Sequence, residues 1–245
     1  MTNKADQKYW DKYYSGFEFQ IAPEIHPIRQ LIEQYIPETN CKTCIEIGCY
    51  PGALLAVFGE LGYKLYGIDL YEKIDILPKW LESQNYNVGE FWKDDFLKFN
   101  PGHKFAVVSS FGFLEHFTNW EEILLKHLEL VEDGGHIIIE APNFIGAFQH
   151  FLHKNFDKKN YDHHHIPAMN IDNWSEILKD NGFEVKYKGY FGPFYFWVDV
   201  DHSRKFIEWQ ILRTLIKLRP FLTKVLPQNK KAYSPYGGVI AQKMV

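Results

Sequence analysis

The sequence predicts an α/β protein with a doubly wound, mostly parallel sheet, and three observations predict it. A short apolar strand, Thr43–Ile47, runs into a glycine loop from Gly48 to Gly52 and then into an apolar helical run. That order is how α/β chains bring backbone close to a nucleotide ligand. The stretch from His103 to Phe117 is centred on a continuous apolar run, as expected of a central parallel strand buried on both faces. Strand–helix units then recur with similar punctuation up to Asn143.

Taken in order, residues 1–40 read as a polar and aromatic segment followed by a helix. Tyr9, Trp10, Tyr13 and Tyr14 have helical spacing, and Ile28, Leu31, Ile32 and Tyr35 make an apolar face that ends at Pro37. The segment is either a helix packed on the sheet edge or a lid over a ligand. In the first crossover, Gly48 permits a sharp turn and Gly52 a close approach of the helix. A second strand, residues 64–70, carries Asp69 at its tip, where a carboxylate can accept two hydrogen bonds from a ribose diol. The loop is not the G-x-G-x-x-G of dinucleotide enzymes. Tyr50 replaces the glycine that would admit a pyrophosphate, and Pro51 lacks an N–H. Few phosphate donors beside acids suit an adenosine without phosphate.

The pattern E-x-G-x-x-x-G, here Glu46 to Gly52, resembles the first motif of the class I S-adenosylmethionine (SAM)-dependent methyltransferases. That resemblance implies a Rossmann-like sheet of seven strands, with the last strand antiparallel between two earlier ones. SAM is the implied cofactor, leaving as S-adenosylhomocysteine. Tyr9-Trp10-Asp11 is similar to the segment with which such enzymes often begin near the SAM site. Following a third strand at Glu90–Trp92, Asp95 and Phe96 match the family's adenine-binding position, with Asp94 as a solvated turn acid. The run ending in Leu114-Glu115-His116 resembles the fourth-strand motif, although Ala106 stands where Asp is usual. The cofactor set carried over by these matches is Glu46, Gly48, Cys49, Tyr50, Gly52, Asp69, Leu70, Asp95, Phe96 and Ser109, with Ser109 beside the methionine part. His116, at the edge of the substrate space, is either a chemical group or a local loop anchor.

A helix is expected over Trp120–Val131, a turn at Glu132–Gly135 and a fifth strand from His136 into Ala141-Pro142-Asn143. Residues 144–170 show no strong period. Within them His163, His164 and His165 are consecutive, and in an extended chain His163 and His165 share a side. No clear third ligand accompanies them, so no metal is expected. In the family resemblance His165 holds the place of a base that takes a proton from a hydroxyl, leaving His116, His165 and His163 as the catalytic candidates. The next helix spans Asn173–Asn181, capped by Asp172 or Asn173 and stopped by Gly182. Phe183–Lys188 and Gly238–Lys243 are the last two strands.

Between them lies an insertion, residues 189–236, in a chain otherwise read as one domain over residues 1–245. Its helix is interrupted at Pro220. Residues 201–231 carry eight Lys or Arg against two acids. Such a stretch, residues 204–226, either covers its own domain or a dimer mate, or lies on an anionic membrane surface.

Composition narrows the partners. The 245 residues are 46% hydrophobic and 24% charged, ordinary for a globular chain. A net charge of −4 and the absence of an N/D-P-P-Y/F tetrad argue against nucleic acid. Cys41, Cys44 and Cys49 with no visible signal peptide suggest a reducing cytoplasm. The expected function is methyl transfer to a small-molecule acceptor, an oxygen of a sugar or lipid-linked compound. The alternatives are a degenerate SAM-binding partner subunit and, third, an NAD-type or nucleotide-sugar enzyme.

Overall fold

A computed structural model describes residue 4, residues 7–198 and residues 205–245. Residues 1–3 and 5–6 of the expected lid, and residues 199–204 of the insertion with Arg204 of the basic stretch, lie outside the described residues. The strands are β1 (Thr43–Ile47), β2 (Lys64–Asp69), β3 (Val88–Lys93), β4 (Phe105–Phe111), β5 (Val131–Pro142), β6 (Phe183–Phe191) and β7 (Tyr236–Lys243). The helices are α1 (Gln7–Tyr13), α2 (Pro27–Tyr35), α3 (Leu55–Glu60), α4 (Ile76–Ser83), α5 (Trp120–Glu129), α6 (Ala147–Phe156), α7 (Lys158–Asp162), α8 (Ile171–Asp180) and α9 (Phe206–Val225).

All seven strands join one sheet in the order β3-β2-β1-β4-β5-β7-β6. The first five pair in parallel, and β7 lies antiparallel between β5 and β6. The order reverses between β1 and β4, so the carboxyl ends of those strands open the crevice where such sheets hold ligands.

Successive strand residues point to opposite faces, and this divides the core. Ile45, Val108 and Ile137 face α5 and α8, where Ile123, Leu124, Trp174 and Leu178 are buried. Cys44, Val107 and Ile138 face the other way, toward Ile32 of α2, Val57 of α3 and Leu77 of α4. Both faces of the central strands are therefore covered, which is why β4 reads as an unbroken apolar run.

Four local expectations are corrected. The expected turn at Glu132–Gly135 lies inside β5, which starts at Val131. The helix before β6 begins at Ile171, and its cap is Asn170, whose side chain accepts from the Asp172 N–H at 3.1 Å. Residues 144–170 do form helices. Their period was hidden because the buried stripe of α6 is Gln149, Leu152, His153 and Phe156, half of it polar.

The fourth concerns Pro220, which does not interrupt α9. A proline inside a helix costs roughly 3 kcal/mol. Anchors on both sides offset it: Leu212 and Leu215 before it and Leu222 after it pack on Leu152, Phe194 and Phe196. Arg219 Nη1 donates to the Phe196 carbonyl at 3.2 Å and Thr223 Oγ1 to that of Phe194 at 2.7 Å. Much of α9 stays outside this contact. Phe206 and Ile207 are 76% and 71% exposed, and Trp209, Leu218 and Phe221 are exposed too.

Candidate active site

The site is built where β1 ends. Gly48 and Cys49 donate their N–H groups to the Ile68 carbonyl, at 2.9 and 3.2 Å, tying the loop to β2. Gly48 (φ +70°) and Gly52 (φ +83°) both occupy the left-handed region. A Cβ on Gly48 would stand 2.6 Å from Phe113, and one on Gly52 would stand 2.5 Å from Leu77 of α4. Glycine is needed at both positions on conformational and steric grounds.

One residue along β2, Asp69 receives the Tyr50 N–H on Oδ2 at 2.9 Å and the Tyr71 N–H on Oδ1 at 2.8 Å. Burial raises its pKa, and those backbone donors oppose the rise. A carboxylate has about four acceptor positions, so two are left for a ligand. Glu46, at the end of β1, is 5% exposed, and its Oε2 has no hydrogen-bond partner among the described residues. Burial and then the nearby Asp69 push its pKa well up. An orphaned buried carboxylate oxygen calls for a donor from outside the protein.

Glu46, Gly48, Tyr50, Gly52, Asp69, Leu70, Asp95, Phe96 and His116 all line one cavity of about 420 Å³. That lies within the usual range for small-molecule sites. The Tyr50 ring does not fill the crevice: it packs among Tyr14, Phe19 and Tyr71, with ring centroids 4.3–5.7 Å away. Asp95 Oδ1 accepts the Leu97 N–H at 3.0 Å, and Asp94 Oδ1 that of Asp95 at 2.7 Å, so both acids shape the turn. Asp94 also lines the cavity. Gln7 and Trp10 of α1, and Tyr14 just after it, also line the cavity. Phe111, Gly112, Phe113 and Phe117 form the remaining wall.

Four expected site residues, Cys49, Ser109, His163 and His165, do not line it. Cys49 is fully buried, with its sulfur turned under the sheet to 2.5 Å from where a Gly67 Cβ would stand. Ser109 is fully buried, its hydroxyl donating to the Ile45 carbonyl at 3.3 Å. Ala106, where the family has Asp, is buried among apolar groups in the strand. His163 and His165 also lie away from the cavity. The three histidines are not extended throughout: His163 closes α7 in a helical conformation, so the assumed alternation fails. The His163 ring packs on Tyr9 at 4.3 Å, and the His165 N–H donates to the Glu115 carbonyl at 2.6 Å.

The histidine that turns inward is the middle one, which the sequence reading passed over. His164 meets His116 with ring centroids 4.7 Å apart. Each uses Nδ1 on a backbone carbonyl: His116 on that of His163 at 3.0 Å, and His164 on that of Asn160 at 2.7 Å. Burial pushes their pKa values down to about 3 and about 4. Beside them Glu115 is fully buried and its pKa is pushed up by burial to about 8. No signal in the sequence spacing pairs His164 with His116; only the packing of α7 does.

Comparison with known proteins agrees with the geometry. A family model described as "Methyltransferase domain" matches residues 21–188. The chain is 26% identical over 140 residues to a ubiquinone biosynthesis O-methyltransferase of Thiobacillus denitrificans, covering 56% of this chain and 58% of that protein. To the enzyme of that name from Nitrosomonas europaea it is 27% identical over 138 residues, covering 55% and 57%. The chain thus spans little more than half the length of these curated relatives. The crystal structure of a SAM-dependent methyltransferase from Archaeoglobus fulgidus superposes with a TM-score of 0.55 at 21% identity, covering 88% and 93%. That likeness shows the fold.

Proposed function

The chain belongs to the methyltransferase-domain family as a class I SAM-dependent methyltransferase, and from that premise we propose that it methylates an oxygen of a small, lipid-linked acceptor. The observation that carries the reading is the lining of the cavity. Acids and the glycine loop line it together with an aromatic wall and His116.

SAM fits the acids and the loop. Asp69 keeps two acceptor positions for a ribose diol, and Asp95 with Phe96 offers an acceptor and an apolar face for adenine. The unpartnered Glu46 oxygen suits a cationic ligand, directly or through water. When bound, SAM supplies a methyl group on a sulfonium, which is already a good leaving group. What is left for the protein is to align the acceptor and exclude water. Trp10 of α1 and Tyr14 just after it line the cavity, which suits this segment to the role of a lid. Phe113 and Phe117 offer an acceptor apolar contact, and His116, backed by Glu115 and His164, is the polar spot at which its oxygen would be placed.

Two observations support a lipid-linked acceptor. The curated relatives are named O-methyltransferases. In addition, α9 leaves large apolar side chains exposed in a stretch rich in Lys and Arg. Such a face suits an anionic membrane surface from which an amphiphilic acceptor could be drawn. No described helix is long and apolar enough to cross a membrane. The test is turnover of SAM with hydroxylated acceptors bearing or lacking an apolar tail, read by mass spectrometry of the product. Methylation on oxygen, favoured by the tail, is the expected result. SAM binding without turnover on any acceptor would point to a degenerate partner subunit.

A further inference from the structure

We propose that Glu115, His116 and His164 form a binding site for one divalent transition-metal ion, of the zinc type, beside the cavity. Their ligand atoms all lie within 4.8 Å of one another. The sequence offers Glu115 and His116 as neighbours, and the fold adds the missing third ligand from the loop after α7.

The tautomers favour a metal. A carbonyl oxygen can only accept, so the hydrogen bonds to the His163 and Asn160 carbonyls place the proton of each neutral ring on Nδ1. Nε2 is then the lone-pair nitrogen in both rings. A ligating histidine is commonly fixed through its other nitrogen in this way. His116 Nε2 lies 3.9 Å from Glu115 Oε1. Both carboxylate oxygens of Glu115 are buried without a hydrogen-bond partner among the described residues. Burying such a group with no partner is costly, and an ion held between it and two imidazoles would remove the cost.

The cluster also adjoins the cavity. Gly112 and His116 both line it. A Cβ on Gly112 would stand 3.6 Å from Glu115 Oε1, an ordinary contact distance, so the carboxylate lies directly behind this part of the cavity wall. Two nitrogens and one oxygen are a common donor set for zinc, with a further position left for a substrate. Bonds of about 2.1 Å in a tetrahedral site put ligand atoms about 3.4 Å apart. The three side chains must therefore draw in by about an ångström.

The ion's role rests on the acceptor reading above. Held there, it would bind an acceptor hydroxyl and make it more acidic, its proton passing to water as the oxygen forms its bond to the methyl group and the sulfonium S–CH3 bond breaks, the electron pair returning to sulfur as the thioether.

The test uses the full chain carrying Cys41→Ser, which removes an exposed thiol as a rival ligand. The protein is stripped with a chelator, dialysed and titrated with Zn²⁺, with Co²⁺ as a spectroscopic probe. One equivalent is expected, with Co²⁺ absorption bands of a low-coordinate site. His164→Ala and Glu115→Gln should each weaken binding by about tenfold or more, while circular dichroism and SAM affinity verify the fold. A readout on the unmutated ligands guards against misfolded variants: in ¹⁵N spectra of histidine, the two Nε2 signals should move on addition of Zn²⁺. Absence of stoichiometric binding, unmoved Nε2 signals, or undiminished binding by both folded variants would each overturn the site. Failure to methylate any hydroxyl would sink the acceptor reading alone, because the titration does not depend on turnover.

Discussion

The backbone N–H of Tyr50 donates to Asp69 Oδ2 at 2.9 Å, so the glycine loop and the tip of β2 are one unit. The residue that departs most from a dinucleotide loop is thus held by the acid assigned to the ribose. Loop shape and ribose grip should fail together when that acid is removed.

Asp69→Ala should accordingly lower SAM affinity by about tenfold to a hundredfold, the range for losing charge-assisted hydrogen bonds. Calorimetric titration measures it, and circular dichroism shows whether the fold survives. An affinity equal to wild type would place the ribose elsewhere.

Gly48→Ala meets two obstacles, the positive φ and the Phe113 ring 2.6 Å from the new Cβ. It should lose roughly 1–3 kcal/mol of stability. Adding Phe113→Leu should recover the steric part and leave the backbone part. Urea denaturation of the single and double variants separates them; equal losses in both would show that the ring contact is unimportant.

His127 of α5 is fully buried, donates Nδ1–H to the Ile123 carbonyl at 2.7 Å and has its pKa lowered to about 4 by burial. Unfolded histidine titrates near 6.5, so between about pH 6.5 and 4 the unfolded chain binds more protons. Stability therefore falls as pH drops through that window and levels off below it. The loss from this group is about 3 kcal/mol at most. His127→Gln should flatten the slope between pH 7 and 4.5 in urea denaturation. His116 and His164, also lowered by burial, leave a residual slope. An unchanged slope would mean that His127 is not held neutral.

The exposed face of α9 gives a prediction about surfaces. The protein should float with anionic vesicles and not with neutral ones, and salt should weaken the association. Phe206→Ser with Ile207→Ser should reduce binding by about tenfold or more, since each buried apolar side chain contributes about 1.5–3 kcal/mol. Both positions are solvent-exposed, so melting temperature should hardly change. Equal recovery with neutral and anionic vesicles would remove the membrane reading.

How much was legible depended on how local the cause was. Strands β1, β2 and β4 and the glycine turn stood out because apolar runs and positive-φ glycines act on neighbouring residues. The same holds for Asp69, which the strand carries directly to the crevice. Cys49 and Ser109 were misplaced because one residue's shift along a strand or turn changes the face a side chain meets. The α6 helix escaped notice because Gln149 and His153 sit in its buried stripe: Gln149 Nε2 donates to the Tyr195 carbonyl at 2.7 Å, and the His153 ring bonds Asp157 Oδ2, four residues on, at 2.9 Å.

The order of residues by itself determined the sheet, its crevice and the family, because periodicity and turn chemistry are properties of adjacent positions. Only the tertiary structure decided which histidine turns toward Glu115, since that depends on where α7 ends and what it packs against. It also decided which side of α9 is left bare. Contacts between segments distant in the chain leave no spacing to read, and the cluster of Glu115, His116 and His164 beside this cavity is made of such contacts.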